Sequence, residues 1–144
     1  MRIAKDVVKF SGHWLITAQH QSTFEITTEN FLGPKGDCII GINSSKACYD
    51  LDNNLKRLLR KDGTQVSLTF LVNGDLFEVQ AFGSSQLILT DKKSMVIRKG
   101  IYTCPRTLAI KATASAKDFP RTIISSLKRP GCTGVMIIEA KLPH

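Results

Sequence analysis

The stretch Gly36 to Leu59, GDCIIGINSSKACYDLDNNLKRLL, decides how the chain is read. Cys38, Ile39, Ile40 and Ile42 form an apolar run too short for a helix, and it passes through Gly41 and Asn43 into an amphipathic pattern. This succession predicts a buried strand feeding a helix. Ser44 or Ser45 is the expected N-cap and Gly63 the expected stop. The helix stripe is Cys48, Leu51, Leu55, Leu58 and Leu59, with Lys56, Arg57 and Arg60 late, where the helix dipole favours cations.

Immediately after it, Val66, Leu68, Phe70 and Val72 alternate with Ser67, Thr69 and Leu71, and Asn73-Gly74 turns the chain into Asp75 to Phe82. A two-residue turn pairs Val72 with Asp75, Phe70 with Phe77, Leu68 with Val79 and Thr69 with Glu78, so apolar meets apolar and polar meets polar. On the N-terminal side, residues 2 to 10 read as a strand. Leu15 to Thr27 reads as a longer, half-buried one that puts His20 on the same face as Ile16, Ala18, Phe24 and Ile26.

On the C-terminal side, Gln86 to Thr90 and Ser94 to Arg98 suggest a second hairpin, and Thr107 to Ala112 another strand. Asp118 to Arg129 reads as a second helix, capped by Asp118 or Ser115 and carrying Phe119, Ile123, Ile124 and Leu127 inward; Gly134 to Lys141 is the last strand. Eight or nine strands with two inserted helices, and no regular βαβ alternation, predict a mainly β, antiparallel sandwich with two α-helices packed outside. Residues 1 to 144 read as a single domain with no internal repeat visible.

The apolar fraction of 42% suits a soluble globular protein, and MRIAKDVVKF offers no signal-peptide core. No apolar run is long enough to span a bilayer, so neither secretion nor membrane insertion is expected. Four cysteines without a Cys-x-x-Cys pair predict reduced thiols and a cytoplasmic protein. The net charge of +8 is unevenly placed. Residues 1 to 90 hold nine Lys/Arg and nine Asp/Glu, whereas residues 91 to 144 hold eleven against three. A one-sided field of this kind attracts a polyanion.

Several motifs then carry a resemblance. Gly12-His13 and His20 running into STFEIT (Ser22 to Thr27), GDCIIGI (Gly36 to Ile42), VIRK (Val96 to Lys99), RTLAI (Arg106 to Ile110) and AKD (Ala116 to Asp118) resemble an archaeal family catalogued as domain of unknown function 371. The resemblance covers nearly the whole chain and implies a jelly-roll-like sandwich in an archaeal cytoplasm, without implying an activity. Ser22 and Gly100 stand where the family pattern has Thr and Ser.

Two sets of residues are candidates for chemistry. His13, His20, Thr23, Glu25, Asp37 and Cys38 form a candidate polar site, in which imidazole, thiolate and carboxylate would suit zinc or another divalent metal. Strand parity argues against a single site on one strand, and a core histidine satisfied by a backbone carbonyl or by Asp37 is the better reading of His20. Cys38 with a histidine base would instead suit a small thiol-dependent enzyme, although a thiol in a buried strand is usually inert packing. The junction from Gly41 to Lys46 can present donors to an anion, but N-capping accounts for the same residues. The second set is basic: Arg98, Lys99, Arg106, Lys111, Lys117, Arg121, Lys128 and Arg129. If their elements are neighbours, they predict RNA or DNA binding through the phosphate backbone, with Tyr102 and Trp14 as the exposed rings.

Overall fold

Asn73 and Gly74 adopt φ of 50° and 82°, the left-handed pair that a type I′ turn requires, and the flanking strands pair in the register that their alternation demands. In the computed structural model, which describes residues 1–33 and 36–143, the element order is β1 (Arg2–Ser11), β2 (Thr23–Thr27), β3 (Ile39–Gly41), α1 (Asn53–Leu59), β4 (Gln65–Val72), β5 (Asp75–Phe82), β6 (Ser94–Arg98), β7 (Thr107–Ala109), α2 (Arg121–Leu127) and β8 (Thr133–Leu142). A 3-10 turn precedes each helix, at Cys48–Asp50 and Ala116–Asp118.

The strands form two four-stranded sheets, β1-β8-β4-β5 and β3-β2-β6-β7. The first is antiparallel throughout. In the second, β2 and β6 are antiparallel, while β2–β3 and β6–β7 are parallel. Isolated bridges from Ser11 to Ile42 and from Phe82 to Ile110 tie the sheets together along both sides. The mainly β sandwich with two helices is therefore the architecture observed.

Its core contains Phe10, Phe24, Phe70 and Phe119, with Phe77 at its margin, in edge-on or tilted pairs 4.8–6.3 Å apart. Each fully buried ring contributes roughly 1.5–3 kcal/mol relative to exposure. Leu55, Leu58 and Leu59 of α1, and Ile123, Ile124 and Leu127 of α2, face the same core.

The halves of the chain repeat one another, contrary to the sequence reading. β1-β2-β3-α1-β4 and β5-β6-β7-α2-β8 correspond element by element, 68 to 71 positions apart (Gln65 to Thr133, Thr23 to Ser94). Irregular backbone corresponds as well: positive φ recurs at Ala18 and Leu89, Asn43 and Lys111, and Gly63 and Gly131. Hydrogen bonds between the halves are likewise paired. Tyr49 N donates to Asp91 O (3.0 Å), and its counterpart Lys117 N donates to His20 O (3.1 Å). Thr69 faces its own counterpart Ile137 in the first sheet, and Glu25 faces its counterpart Val96 in the second. The pseudo-two-fold axis thus runs through the centres of both sheets.

Several expected elements are shorter. Only Thr23–Thr27 of the expected Leu15 to Thr27 strand is a strand, because Ala18 turns left-handed (φ 49°) while Ile16 and Ala18 still bury their side chains. Gln86 to Thr90 is irregular, with Leu89 at φ 58°, and β7 stops before Lys111 at φ 53°. Ser44 does not cap a helix; Asp52 does, accepting from Leu55 N at 3.0 Å. Ser115 and Asp118 close the second 3-10 turn on each other, and α2 begins only at Arg121.

Gly12 and Gly83 occupy corresponding places where each half leaves its first strand. A Cβ on Gly12 would overlap the Leu127 carbonyl at the end of α2, and one on Gly83 would overlap the Leu59 carbonyl at the end of α1. Gly12→Ala and Gly83→Ala are each expected to cost about 1–3 kcal/mol. Gly100→Ala, where a Cβ meets open space, should stay within about 0.5 kcal/mol. Urea midpoints compare the three.

Candidate functional site

In β2, Phe24 and Ile26 point into the core, so Thr23, Glu25 and Thr27 point to the opposite face of the sheet. Glu25 is nevertheless only 8% exposed, because the segments entering β3 and β7 lie against it. Cys38 Sγ donates to Glu25 Oε1 at 3.6 Å, and the Arg106 guanidinium lies 3.5 Å from the same oxygen. Cys38 and Arg106 are counterparts: the carbonyl of Cys38 accepts from Glu25 N (2.9 Å) and that of Arg106 from Val96 N (2.8 Å). A carboxylate on the pseudo-axis is thus flanked by a thiol from one half and a guanidinium from the other.

Beside it, the second half builds a second group. Arg98 Nε donates to Thr107 Oγ1 (3.1 Å), its Nη2 reaches Cys104 Sγ (3.5 Å), and its guanidinium lies 4.9 Å from the Tyr102 ring centre. Cys104 N also donates to Thr107 Oγ1 (3.1 Å), which holds the thiol over β7. Burial pushes the Cys104 thiol up, but the Thr107 hydroxyl, the Arg106 backbone and Arg98 outweigh it and bring the pKa down to about 7. Burial and the neighbouring Glu25 carboxylate push Cys38 the other way, up to about 11, and burial raises Cys48 further. Cys38, a candidate nucleophile, is therefore the thiol that favours its protonated form, and Cys104 the one that favours the thiolate.

The histidines cap turns. His20 Nδ1 accepts from Ser22 N (3.2 Å) and Thr23 N (3.1 Å), and Thr23 Oγ1 lies 3.2 Å from the same nitrogen. Its counterpart Asp91 accepts from Lys93 N (3.2 Å) and Ser94 N (2.7 Å) in the same way. His13 Nδ1 accepts from Leu15 N (3.0 Å), as Ser84 Oγ accepts from Gln86 N (3.1 Å). A serine and an aspartate fill the equivalent positions, so these turns ask only for an acceptor. His20 is half-buried rather than in the core, and Asp37 meets it through its carbonyl, which accepts from His20 N (3.2 Å). Among the described residues, no group of three or more His, Cys, Asp or Glu is placed to hold a metal ion, so the expected polar cluster is not assembled as a metal centre. Lys46, at the expected anion junction, is held by Asp6 at 2.8 and 2.9 Å.

The basic residues separate by what they touch. Arg98, Arg106 and Lys111 gather around the loop from Lys99 to Arg106; Lys111 joins it by donating its N–H to Gly100 O (3.0 Å). Lys99 is paired with Asp118 (2.8 Å), and Lys117 stands beside His20. Arg121 is structural. Its guanidinium donates to the carbonyls of Thr17, Ala18, Ala116, Lys117 and Phe119 at 3.0–3.4 Å, fastening α2 to the segment before β2. Arg129, at the end of α2 beside Lys128, lines a cleft with Asn73 and Ser126 near the β4–β5 turn. Sequence reasoning missed Cys104 and Thr107, whose only local signal was the Cys-Pro-Arg-Thr turn.

No helix among the described residues is long and apolar enough to cross a membrane. A family profile described as a domain of unknown function (DUF371) matches residues 8–141. The chain is also 41% identical over 122 residues to the uncharacterized protein MJ0206 of Methanocaldococcus jannaschii, covering 85% of this chain and 90% of that one.

Mass-spectrometric mapping of limited iodoacetamide labelling should find Cys104 modified first, with a rate that is half-maximal near pH 7 and flat above about pH 8. Cys38 and Cys48 should lag at every pH below about 9. Arg98→Ala removes a cation that favours the thiolate, so the Cys104 midpoint should move up toward the ordinary thiol value.

Proposed function

We infer the function of this chain from its own site, because it belongs to the family described as domain of unknown function 371, a description that assigns no activity. We propose that it binds single-stranded nucleic acid across the face of the second sheet that carries Arg98 and Arg106. The observation that carries this reading is Tyr102. Its ring is 66% exposed and lies against the Arg98 guanidinium, in a loop bordered by Arg106 and Lys111. An exposed ring offers a base a stacking surface of any sequence, and neighbouring guanidinium and ammonium groups offer the phosphates a track.

A second ring supports the same reading. Glu29 O and Gly100 O accept from Asn43 N (2.8 Å) and Lys111 N (3.0 Å) at corresponding places, and two residues beyond them stand Phe31 and Tyr102. Phe31 is 59% exposed, so each half presents one aromatic ring from its loop. The four described cysteines are free thiols, which accords with a reducing compartment, and we place the protein in the cytoplasm. A second reading, a thiol-dependent enzyme, rests on Cys104 rather than Cys38, because Cys104 alone combines a lowered pKa with partial exposure.

Fluorescence anisotropy with labelled oligouridylate and oligothymidylate tests the proposal and separates RNA from DNA. Affinity should fall with salt, with a log–log slope of about −2 for phosphates held by Arg98, Arg106 and Lys111. Tyr102→Ala should weaken binding roughly 5- to 150-fold, the range for loss of one stacked base. Reversing Arg106 and Lys111 to Glu should weaken it more than reversing Lys128 and Arg129. Equal losses from the two reversals, or an unchanged affinity in Tyr102→Ala, would sink the site in favour of diffuse attraction by net charge.

A further inference from the structure

The solvent face of the first sheet is divided along the pseudo-axis. In β1, Ala4, Val8 and Phe10 turn inward, so Ile3, Lys5, Val7 and Lys9 face out. Across the sheet, one row of outward residues reads Lys9, Val135, Leu71, Leu76 and the next reads Val7, Ile137, Thr69, Glu78. The row beyond them reads Lys5, Glu139, Ser67, Gln80. That row is polar and satisfied, with Lys5 to Glu139 at 3.0 Å and Ser67 to Gln80 at 3.1 Å; the next, Ile3, Lys141, Gln65, Phe82, is apolar only at the two edges of the sheet. The first two rows leave Val7, Leu71 and Leu76 between 40% and 62% exposed, with Val135 and Ile137 between them.

The fold does not demand those apolar residues. The pseudo-axis carries Leu71 onto Glu139, Val135 onto Ser67, and Val7 onto Glu78, so the same backbone accepts polar side chains at the equivalent places. Apolar side chains that face water where the same frame accepts polar ones are therefore an interaction patch rather than a requirement of packing.

We propose that this patch pairs with the same patch of a second copy of the chain. Charge selects both the occupant and its direction. The patch is bounded by Lys9 on the β1 side and by Glu78 on the β5 side. A two-fold axis parallel to the strands lays β8 of one copy over β4 of the other and brings Lys9 toward the other copy's Glu78, twice per dimer. A two-fold axis across the strands would instead set Lys9 against Lys9. Docked this way the whole outward face of the sheet, four strands about 4.8 Å apart and about 27 Å long, covers about 500 Å² per copy, about half of it the two rows of the patch. The pair then buries on the order of 1,000 Å², the low end of the range, where transient rather than obligate partners lie.

Sedimentation equilibrium of the full chain between about 1 and 100 μM should give a monomer–dimer equilibrium. Leu71→Lys, an outward substitution that leaves the core intact, should raise the dissociation constant at least tenfold with an unchanged circular dichroism spectrum. Ser67→Lys, at the polar counterpart of Val135, should change it less than threefold. Lys9→Glu and Glu78→Lys should each weaken association, and the double variant should recover it. A chain that stays monomeric at 100 μM overturns the proposal and leaves the face to a different protein; association that survives Leu71→Lys places the dimer contact elsewhere.

Discussion

Where each half leaves its first strand, it passes under the end of the other half's helix, at Gly12 beneath Leu127 and at Gly83 beneath Leu59. Neither crossing has room for a methyl group. The amide of each glycine is also spent across the crossing or beside it, since Gly12 N donates to Cys132 O (2.8 Å) and Gly83 N to Thr64 O (2.9 Å). The halves are consequently interlocked rather than stacked. Neither can complete its own packing, because the helix that covers the exit of one strand belongs to the other repeat. The central pairing of β4 with β8 repeats the arrangement within the sheet.

This interlock explains where the asymmetric residues gather. The pseudo-axis brings corresponding segments of both halves to the middle of the second sheet, and there the repeats have diverged. Glu25 faces Val96, and Cys38 corresponds to Arg106. A symmetric frame with asymmetric residues gives a carboxylate with a thiol 3.6 Å and a guanidinium 3.5 Å from one of its oxygens, next to an ionisable thiol held by Arg98. The first sheet has diverged on its outer face, where Leu71, Val135 and Val7 have Glu139, Ser67 and Glu78 as counterparts, while both halves stay apolar inside.

Much of the fold was legible in the sequence, and the parts that were not have physical reasons. The β4–β5 hairpin was readable because Asn73-Gly74 fixes both turn and register. The segment from Leu15 to Thr27 was not, because alternation says which side chains are buried but not whether the backbone is paired, and Ala18 bends left-handed without losing its inward position. The stripe from Cys48 to Leu59 looked like one helix because a 3-10 turn followed by α1 keeps the same face inward. The repeat was hidden because the halves share few identical residues, among them Gly12 and Gly83, Asp50 and Asp118, and Gly63 and Gly131, where geometry is strict, and the core pairs Val8 and Val79, Ile26 and Ile97, and Ile42 and Ile110. At the site, Arg98 and Arg106 were identifiable from charge alone. Cys104 was not, because the local turn that ties it to Thr107 shows no charge, and Arg98 reaches that turn only through the β6–β7 pairing. Arg121 shows the converse, a cation conspicuous in sequence that is used up by carbonyls.

The ladder between β1 and β8 joins residues 2 to 11 with residues 133 to 142. On the ribosome, β1 is made first and β8 last, so the opening strand must wait for the closing one before it gains its partner. At a synthesis rate of about 5–20 residues per second this interval lasts on the order of ten seconds. Throughout it, Val8 and Phe10 have no sheet to enter. The charged residues Lys5, Asp6 and Lys9 of the same strand keep this waiting segment soluble until β8 has been made.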